Sequence, residues 1–290
     1  MSFAYVNGRY VSKEHALVSV EDRGYQFSDG VYEVISVYQG ILIDHKGHFN
    51  RLFRSLAELK IQIPWTERVL KIIVDQIIKR NKVKTGSIYL QITRGRAERK
   101  HSFPDKNTRP CIVVTSDAKN GFNKIFPNGT EVITVQDNRW GRPDIKSVSL
   151  LANVLAKETA VQAGCSEALL TNSDDEIIEG SSSNFWMVDS CGRIITRPIG
   201  EDLLAGITRA RLLKLARLGN IEVNECIFLR KEAIAAEEVF LSSTTAPILP
   251  VISIDGNQVG NGKPGPITKI LWTLYCKYLD DEAGSDRKCE

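Results

Sequence analysis

The 290-residue chain has little that would tie it to nucleic acid, membrane or metal. Its 38 Lys and Arg are nearly matched by 35 Asp and Glu, all spread through the sequence, so the net charge of +3 forms no basic stripe able to neutralise a phosphate backbone. No apolar run approaches the roughly 18 residues of a membrane span, and the opening Met-Ser-Phe-Ala-Tyr-Val-Asn-Gly lacks a basic stretch followed by an apolar core. The six cysteines (Cys111, Cys165, Cys191, Cys226, Cys276, Cys289) lie far apart with no Cys-x-x-Cys, which argues against a zinc site and a disulfide framework and suits reduced thiols. No metal site is expected. There is no internal repeat, no low-complexity tract and no composition that suggests disorder. These absences predict a cytoplasmic protein that binds neither nucleic acid nor membrane, with a small anionic ligand as the better match. At 42% hydrophobic and 25% charged, the chain can bury a good core as two domains of ordinary size.

Turn signals and periodicity give a coarse map. Short strands at 3–6, 9–11, 31–38, 41–43, 87–93 and 111–115, punctuated by Asn7-Gly8 and Gln39-Gly40, predict antiparallel sheet. Two helices should pack on it, one with Phe49, Leu52, Phe53 and Leu56 on one face, the other capped by Thr66 and carrying Leu70, Ile73, Val74, Ile77 and Ile78. The polar stretch from Asp117 to Lys124 reads as the place of a linker. The second half alternates strands at 131–136, 167–171, 184–188, 221–226, 238–241 and 251–254 with helices near 149–163, 209–218 and 266–280, a density that suggests a barrel-like mixed sheet. The tail 281–290 is charged and expected to fray. Domains are placed at 1–119 and 127–290, joined by a linker at 120–126.

Two residues could hold an aldehyde cofactor at both ends. Lys146, in Arg142-Pro-Asp-Ile-Lys-Ser147, follows the strand 131–136 and the irregular 137–143 and precedes a helix, so it sits at an element end. A lysine that captures an aldehyde must be held rigidly and be partly desolvated, or its amine is locked as ammonium. Most lysines are instead surface cations, as Lys157 beside Glu158 in mid-helix is expected to be. Glu179 follows Ile177-Ile178 and precedes a Gly-Ser-Ser-Ser turn. A carboxylate there can simply serve the turn, or it can lie against a ring nitrogen and favour its protonated form. Pyridoxal 5'-phosphate (PLP) needs both groups, an amine for the Schiff base and an acid that keeps the pyridine nitrogen protonated. Gly206-Ile207-Thr208 directly precedes the expected helix, so its N–H groups and the Thr208 hydroxyl can face an anion, although plain capping by Thr208 uses the same geometry. Two motifs can be set aside. Gly180-Ser-Ser-Ser-Asn184 is not Gly-x-Ser-x-Gly, and Gly256 to Lys263 is one residue too long for a phosphate loop.

These runs, with Arg51-Leu-Phe near the front and Leu203-Leu-Ala-Gly-Ile-Thr-Arg209 further on, resemble the fold-type IV PLP enzymes, and Asp22-Arg-Gly-Tyr-Gln-Phe-Ser-Asp-Gly-Val-Tyr-Glu33 narrows the resemblance to the D-amino acid aminotransferases. It extends from about Tyr5 to Leu279. The resemblance implies an α+β, two-domain fold, with an N-terminal α/β sandwich and a C-terminal barrel-like mixed sheet with helices. It further implies PLP bound by Arg51, Lys146, Glu179, Ile207, Thr208 and Thr244, with Lys146 as the catalytic amine, Tyr32 close to it and to the substrate carboxylate, and Arg99 and His101 gripping that carboxylate across a dimer interface. A homodimer with active sites near the interface follows. On its own residues the loop 93–104 could equally be solvated, since Arg94, Arg96 and Lys100 crowd it too. The activity implied is ping-pong transfer of an amino group between D-amino acids such as D-alanine and 2-oxo acids, 2-oxoglutarate giving D-glutamate. A branched-chain L-amino acid aminotransferase, an aminodeoxychorismate lyase and a non-enzymatic PLP-binding protein are the alternatives. Ala246 departs from the serine that is frequent near the substrate pocket, which leaves side-chain range open.

Overall fold

Alternating apolar residues up to Asp117 build a six-stranded sheet in which every pairing is antiparallel. Its strands are β1 (Phe3–Val6), β2 (Arg9–Ser12), β3 (Gly30–Tyr38), β4 (Ile41–Leu42), β5 (Gly86–Thr93) and β6 (Cys111–Asp117), in the order β2-β1-β6-β5-β3-β4. The computed structural model describes residues 2–118 and 122–286. Helices α1 (Arg23–Phe27), α2 (His45–Glu58) and α3 (Glu67–Asn81) belong to the same unit. Phe49, Leu52 and Leu56 of α2 and Leu70, Val74 and Ile77 of α3 close over Val31, Ile35, Ile88, Leu90 and Ile92, all but fully buried. Each such side chain contributes about 1.5–3 kcal/mol of burial, so this layer is the expected α/β sandwich. The Thr66 hydroxyl accepts from the Val69 N–H and caps α3 as its position in the sequence suggests.

The second unit contains β7 (Thr130–Gln136), α4 (Leu151–Gln162), β8 (Glu167–Thr171), β9 (Ile177–Gly180), β10 (Asn184–Val188), β11 (Ile194–Thr196), α5 (Ile207–Leu218), β12 (Val223–Glu225), α6 (Arg230–Ile234), β13 (Glu238–Ser242), β14 (Leu249–Ile254), β15 (Asn257–Gln258) and most of α7 (Pro266–Asp286). The sheet order is β12-β11-β10-β13-β14-β7-β8-β9, with β15 on β14. Parallel pairings at β11/β12, β14/β7 and β7/β8 make it mixed, and it curls until β9 packs near β10. Val132, Leu169, Phe185, Val239, Leu241 and Ile254 of this sheet belong to one buried apolar cluster with Phe228 and Ala233. The barrel-like mixed sheet expected from the sequence is present.

The units are not a simple front and back. They comprise Met1–Phe122 with Ile145–Ser149 and the chain end from Ala283, and Asn123–Asp144 with Leu150–Glu282. Ile145–Ser149, which lies inside the expected domain 127–290, is recruited to the first unit by backbone pairing. Tyr32 N–H donates to Lys146 O at 3.1 Å, Val148 N–H donates to Gly30 O at 3.0 Å, and Val31 bridges Ser147. Of the expected linker 120–126, residues 120 and 121 lie outside the described residues. Two element boundaries also differ from expectation. Helix α5 begins at Ile207 with Gly206 as its N-cap, so Thr208 sits inside the first turn and does not cap the helix. Helix α7 continues through Asp286, so the charged tail that should fray is helical that far. Among the described residues no helix is long and apolar enough to cross a membrane, and no group of His, Cys, Asp or Glu could hold a metal ion.

Candidate active site

Lys146 is fixed by its backbone. Its carbonyl accepts from Tyr32, its N–H donates to the Ser55 hydroxyl at 3.3 Å, and its half-buried side chain places Nζ 4.2 Å from the centre of the Tyr32 ring. Tyr32 in turn stacks on Tyr89, with ring centres 5.6 Å apart. Burial pushes the Tyr89 phenol up to about 12, so it acts here as a neutral wall and donor to Gln91. The structure therefore brings Lys146 and Tyr32 together. Lys157, by contrast, extends from α4 toward the Ser166 carbonyl with nearly half its side chain exposed.

Arg51 is buried on α2, where Nε and Nη2 donate to the two carboxylate oxygens of Glu33 at 2.7 and 2.8 Å, and His48 Nδ1 lies 2.8 Å from the same carboxylate. Burial by itself would raise the Glu33 carboxyl, but the charge and hydrogen bonds of Arg51, aided by His48, hold it down at about 2. His48 is pushed the other way, below its usual range, by burial that its contact with Glu33 only partly offsets. Sequence reasoning singled out Arg51 and missed both of its partners. The signal was there, since Glu33 closes the segment that carried the resemblance and His48 stands one turn before Arg51.

In the second unit Glu179, on β9, is buried among donors. Arg139 Nη1 reaches Oε1, Leu204 N–H donates to the same oxygen at 3.2 Å, and Asn184 Nδ2 donates to Oε2 at 3.1 Å. Burial pushes the Glu179 carboxyl up against the opposing pull of Arg139 and the Leu204 N–H. Arg139, nearly buried and also paired with Asp137 at 2.7 Å, is a residue the sequence reading missed, because nothing in its loop marks one arginine above another. Asn184 connects Glu179 to the start of α5. A side chain at Gly206 would put Cβ 1.9 Å from Asn184 Oδ1, so any larger residue there has to displace the Asn184 amide from its hydrogen bonds. The first intrahelical bond runs from Ala210 N–H to Gly206 O, which leaves the N–H groups of Ile207, Thr208 and Arg209 at the positive end of a twelve-residue helix. Thr244 lies half-buried in the turn after β13, where Ser243 N–H donates to Ala246 O at 2.9 Å.

The remaining candidates, Arg99 and His101, are exposed on the loop after β5. Their ring partner is Phe27, 5.1 Å from the Arg99 guanidinium and 5.4 Å from the His101 ring. The crowding of charges in this loop resolves into pairs. Arg94 is buried on Asp29, Arg96 pairs with Glu21 and Lys100 with Glu98, while among the described residues no carboxylate pairs with Arg99.

The sequence profile of the amino-transferase class IV family matches residues 30–254. The chain belongs to this family. It is an aminotransferase, and PLP is the cofactor of the family. Its relatives include the D-alanine aminotransferase of Staphylococcus haemolyticus, 39% identical over 283 residues (98% of this chain and 100% of that protein), and that of Bacillus licheniformis, 41% identical over 267 residues (92% and 93%). Among solved structures the fold is similar to the branched-chain amino acid aminotransferase from Escherichia coli, at TM-score 0.87 and 26% identity over 94% of this chain and 92% of that one. It is also similar to the branched-chain amino acid aminotransferase from Thermoproteus uzoniensis with norvaline, at TM-score 0.83 and 25% identity over 96% and 94%.

Proposed function

We propose that this aminotransferase is a D-amino acid transaminase that moves the amino group of D-alanine to 2-oxoglutarate, leaving pyruvate and D-glutamate. The observation that carries this reading is the 39–41% identity, over nearly the full length, to proteins named D-alanine aminotransferase, against 25–26% to the branched-chain enzymes that share the fold. The donor set suits PLP: a half-buried amine, a buried carboxylate among donors, and a helix N-terminus that a glycine keeps open. Lys146, Glu179, Ile207, Thr208, Thr244 and Arg51 are the residues proposed to hold it.

When bound, the cofactor supplies an aldehyde that takes up the amino group and a ring that withdraws electrons from the substrate α-carbon. The chain supplies the rest. The Lys146 amine would hold the cofactor and, once freed, would carry the proton from the substrate α-carbon to the carbon that bore the aldehyde. Tyr32, against which the amine rests, limits where that amine can swing. Glu179 is assigned to the ring nitrogen, where its negative charge favours the protonated form. The Ile207 and Thr208 N–H groups and the hydroxyls of Thr208 and Thr244 are assigned to the phosphate with Arg51, whose guanidinium is already oriented by Glu33. Arg99 and His101 are assigned to the substrate α-carboxylate of a neighbouring subunit, which makes the working unit a homodimer. A guanidinium that no carboxylate among the described residues occupies is suited to that task. Two domains joined near residues 120–126, with Ile145–Ser149 counted with the first, a cytoplasmic location, and the lack of nucleic-acid or membrane partners belong to the same proposal.

Enantiomer choice follows from the anchor. Whether the single α-hydrogen of the D- or of the L-isomer faces Lys146 depends on where the carboxylate is held, so an anchor on one side of the cofactor selects one hand. The test is turnover of D- and L-alanine with 2-oxoglutarate, followed by chiral analysis of the glutamate formed. D-Glutamate is expected. L-Glutamate would indicate the branched-chain type, pyruvate release without a 2-oxo acid acceptor would indicate a lyase, and no turnover would indicate a binding protein.

A further inference from the structure

The segment Glu21–Asp29 and the strand-and-loop 93–103 fasten to each other at several points. Arg23 N–H donates to Gly95 O at 2.9 Å, Ala97 N–H to Glu21 O at 3.2 Å, and Arg94 N–H to Asp29 O at 3.0 Å. Asp22 caps α1 through Gly24 N–H at 2.8 Å and accepts from the Thr93 hydroxyl at 2.9 Å. Gly95, at φ +99°, permits the turn, since a Cβ there would lie 1.9 Å from Arg109 O.

Two buried arginines converge on one carboxylate. Arg23 Nε and Arg94 Nε donate to the same oxygen of Asp29 at 2.8 and 2.7 Å, and Arg94 Nη2 reaches the other at 2.9 Å. Each arginine then reaches outward to the loop. Arg23 Nη1 donates to the Lys100 carbonyl at 2.6 Å, between Arg99 and His101 in sequence, and the Arg94 guanidinium covers the Phe103 ring at 3.8 Å. The Phe27 ring, from α1, takes Arg23 at 4.8 Å, Arg99 at 5.1 Å and the His101 ring at 5.4 Å. Two like charges on one acid are costly to bury and contribute little net stability. What they do fix is the position of the Lys100 carbonyl and the side chains on either side of it.

We propose that Phe27, braced by the Arg23–Asp29–Arg94 cluster, is a positioning residue for substrate recognition, holding Arg99 and His101 in the one orientation that receives the substrate carboxylate. The inference rests on the assignment of Arg99 and His101 to that carboxylate. It gives the run Asp22–Glu33 a physical meaning: Asp22 caps, Arg23 and Asp29 brace, and Phe27 supports.

The test compares Phe27→Leu, Phe27→Tyr and Arg99→Ala in the PLP-loaded dimer. The readouts are KM and kcat for D-alanine, the D:L preference, and binding of D-lactate, a carboxylate without the amine, by calorimetry. Loss of a ring-to-cation contact in Phe27→Leu should raise KM and weaken D-lactate about threefold to tenfold, more than kcat falls, and lower the D:L ratio. Phe27→Tyr keeps the ring face and should stay within about twofold of the parent. Arg99→Ala should weaken D-lactate about tenfold or more. If Arg99→Ala weakens D-lactate and a folded, PLP-loaded Phe27→Leu does not, or if Phe27→Tyr is as impaired as Phe27→Leu, the positioning role is overturned. If Arg99→Ala leaves D-lactate binding unchanged, the carboxylate assignment itself fails, and the positioning role with it.

Discussion

Replacing Glu33 by glutamine should cost the protein stability at neutral pH and almost none in acid. Glu33 is fully buried and held at about 2 from an ordinary 4.5, chiefly by Arg51. Each tenfold change in proton affinity is worth about 1.4 kcal/mol, so the ionised carboxylate contributes about 3 kcal/mol to the folded state. The sign follows from the direction: a carboxyl depressed on folding stabilises above its unfolded value and loses that contribution as pH falls from about 4.5 towards about 2. Glutamine preserves the shape but leaves the buried Arg51 guanidinium without its counter-charge, a loss of about 3–5 kcal/mol where a buried pair is broken on one side. Urea unfolding at fixed protein concentration, repeated from pH 7 to pH 2.5, should show the gap between parent and Glu33→Gln narrowing below about pH 4.5, where Glu33 of the unfolded parent takes up a proton that the folded parent does not. Parallel stability curves over that range would refute the claim that Arg51 is what holds this carboxylate ionised.

Borohydride treatment of the loaded enzyme should fix the cofactor onto Lys146, and peptide mapping that found it on Lys157 or nowhere would remove the lysine assignment. Glu179→Gln should keep PLP but slow the half-reaction seen by rapid-mixing absorbance, because a neutral amide does not favour the protonated ring nitrogen; lost cofactor with an unchanged rate per bound PLP would make Glu179 structural. Mixing Lys146→Ala with Arg99→Ala should restore part of the activity in hybrid dimers that carry one intact site, and no recovery after verified subunit exchange would argue against a shared site.

The elements legible in the sequence were those whose signal is periodic. The stripes of α2 and α3, and the strands from Gly30 to Tyr38 and from Glu167 to Thr171, sit where alternation or three-to-four spacing places them. Elements fixed by partners distant in sequence were not legible. Helix α1 is five residues between an aspartate cap and a left-handed Ser28, and β11 is three residues held by β10 and β12. The same division runs through the site. Lys146, Glu179 and the Gly206–Thr208 turn each have a local signature, whereas Arg139 acquires its role only because β9 carries Glu179 back to it, 40 positions on. Arg51 is an intermediate case: the sequence marks the residue itself, while its buried partners Glu33 and His48 are joined to it only by the packing of α2 on β3.

The five residues Ile145–Ser149 make this protein resistant to being divided. A gene cut after Phe122 would yield a first piece in which Tyr32 N–H and Gly30 O have lost their partners, an open strand edge of the kind that recruits other chains. The second piece would contain the Lys146 segment without the strand that orders it. Neither piece is a portable module, and an engineer exchanging domains among relatives would have to transplant Ile145–Ser149 together with β3. Lys146, the proposed cofactor lysine, is thus coupled to the integrity of the first sheet: damage to the pairing of β3 should appear as lost cofactor chemistry before it appears as unfolding.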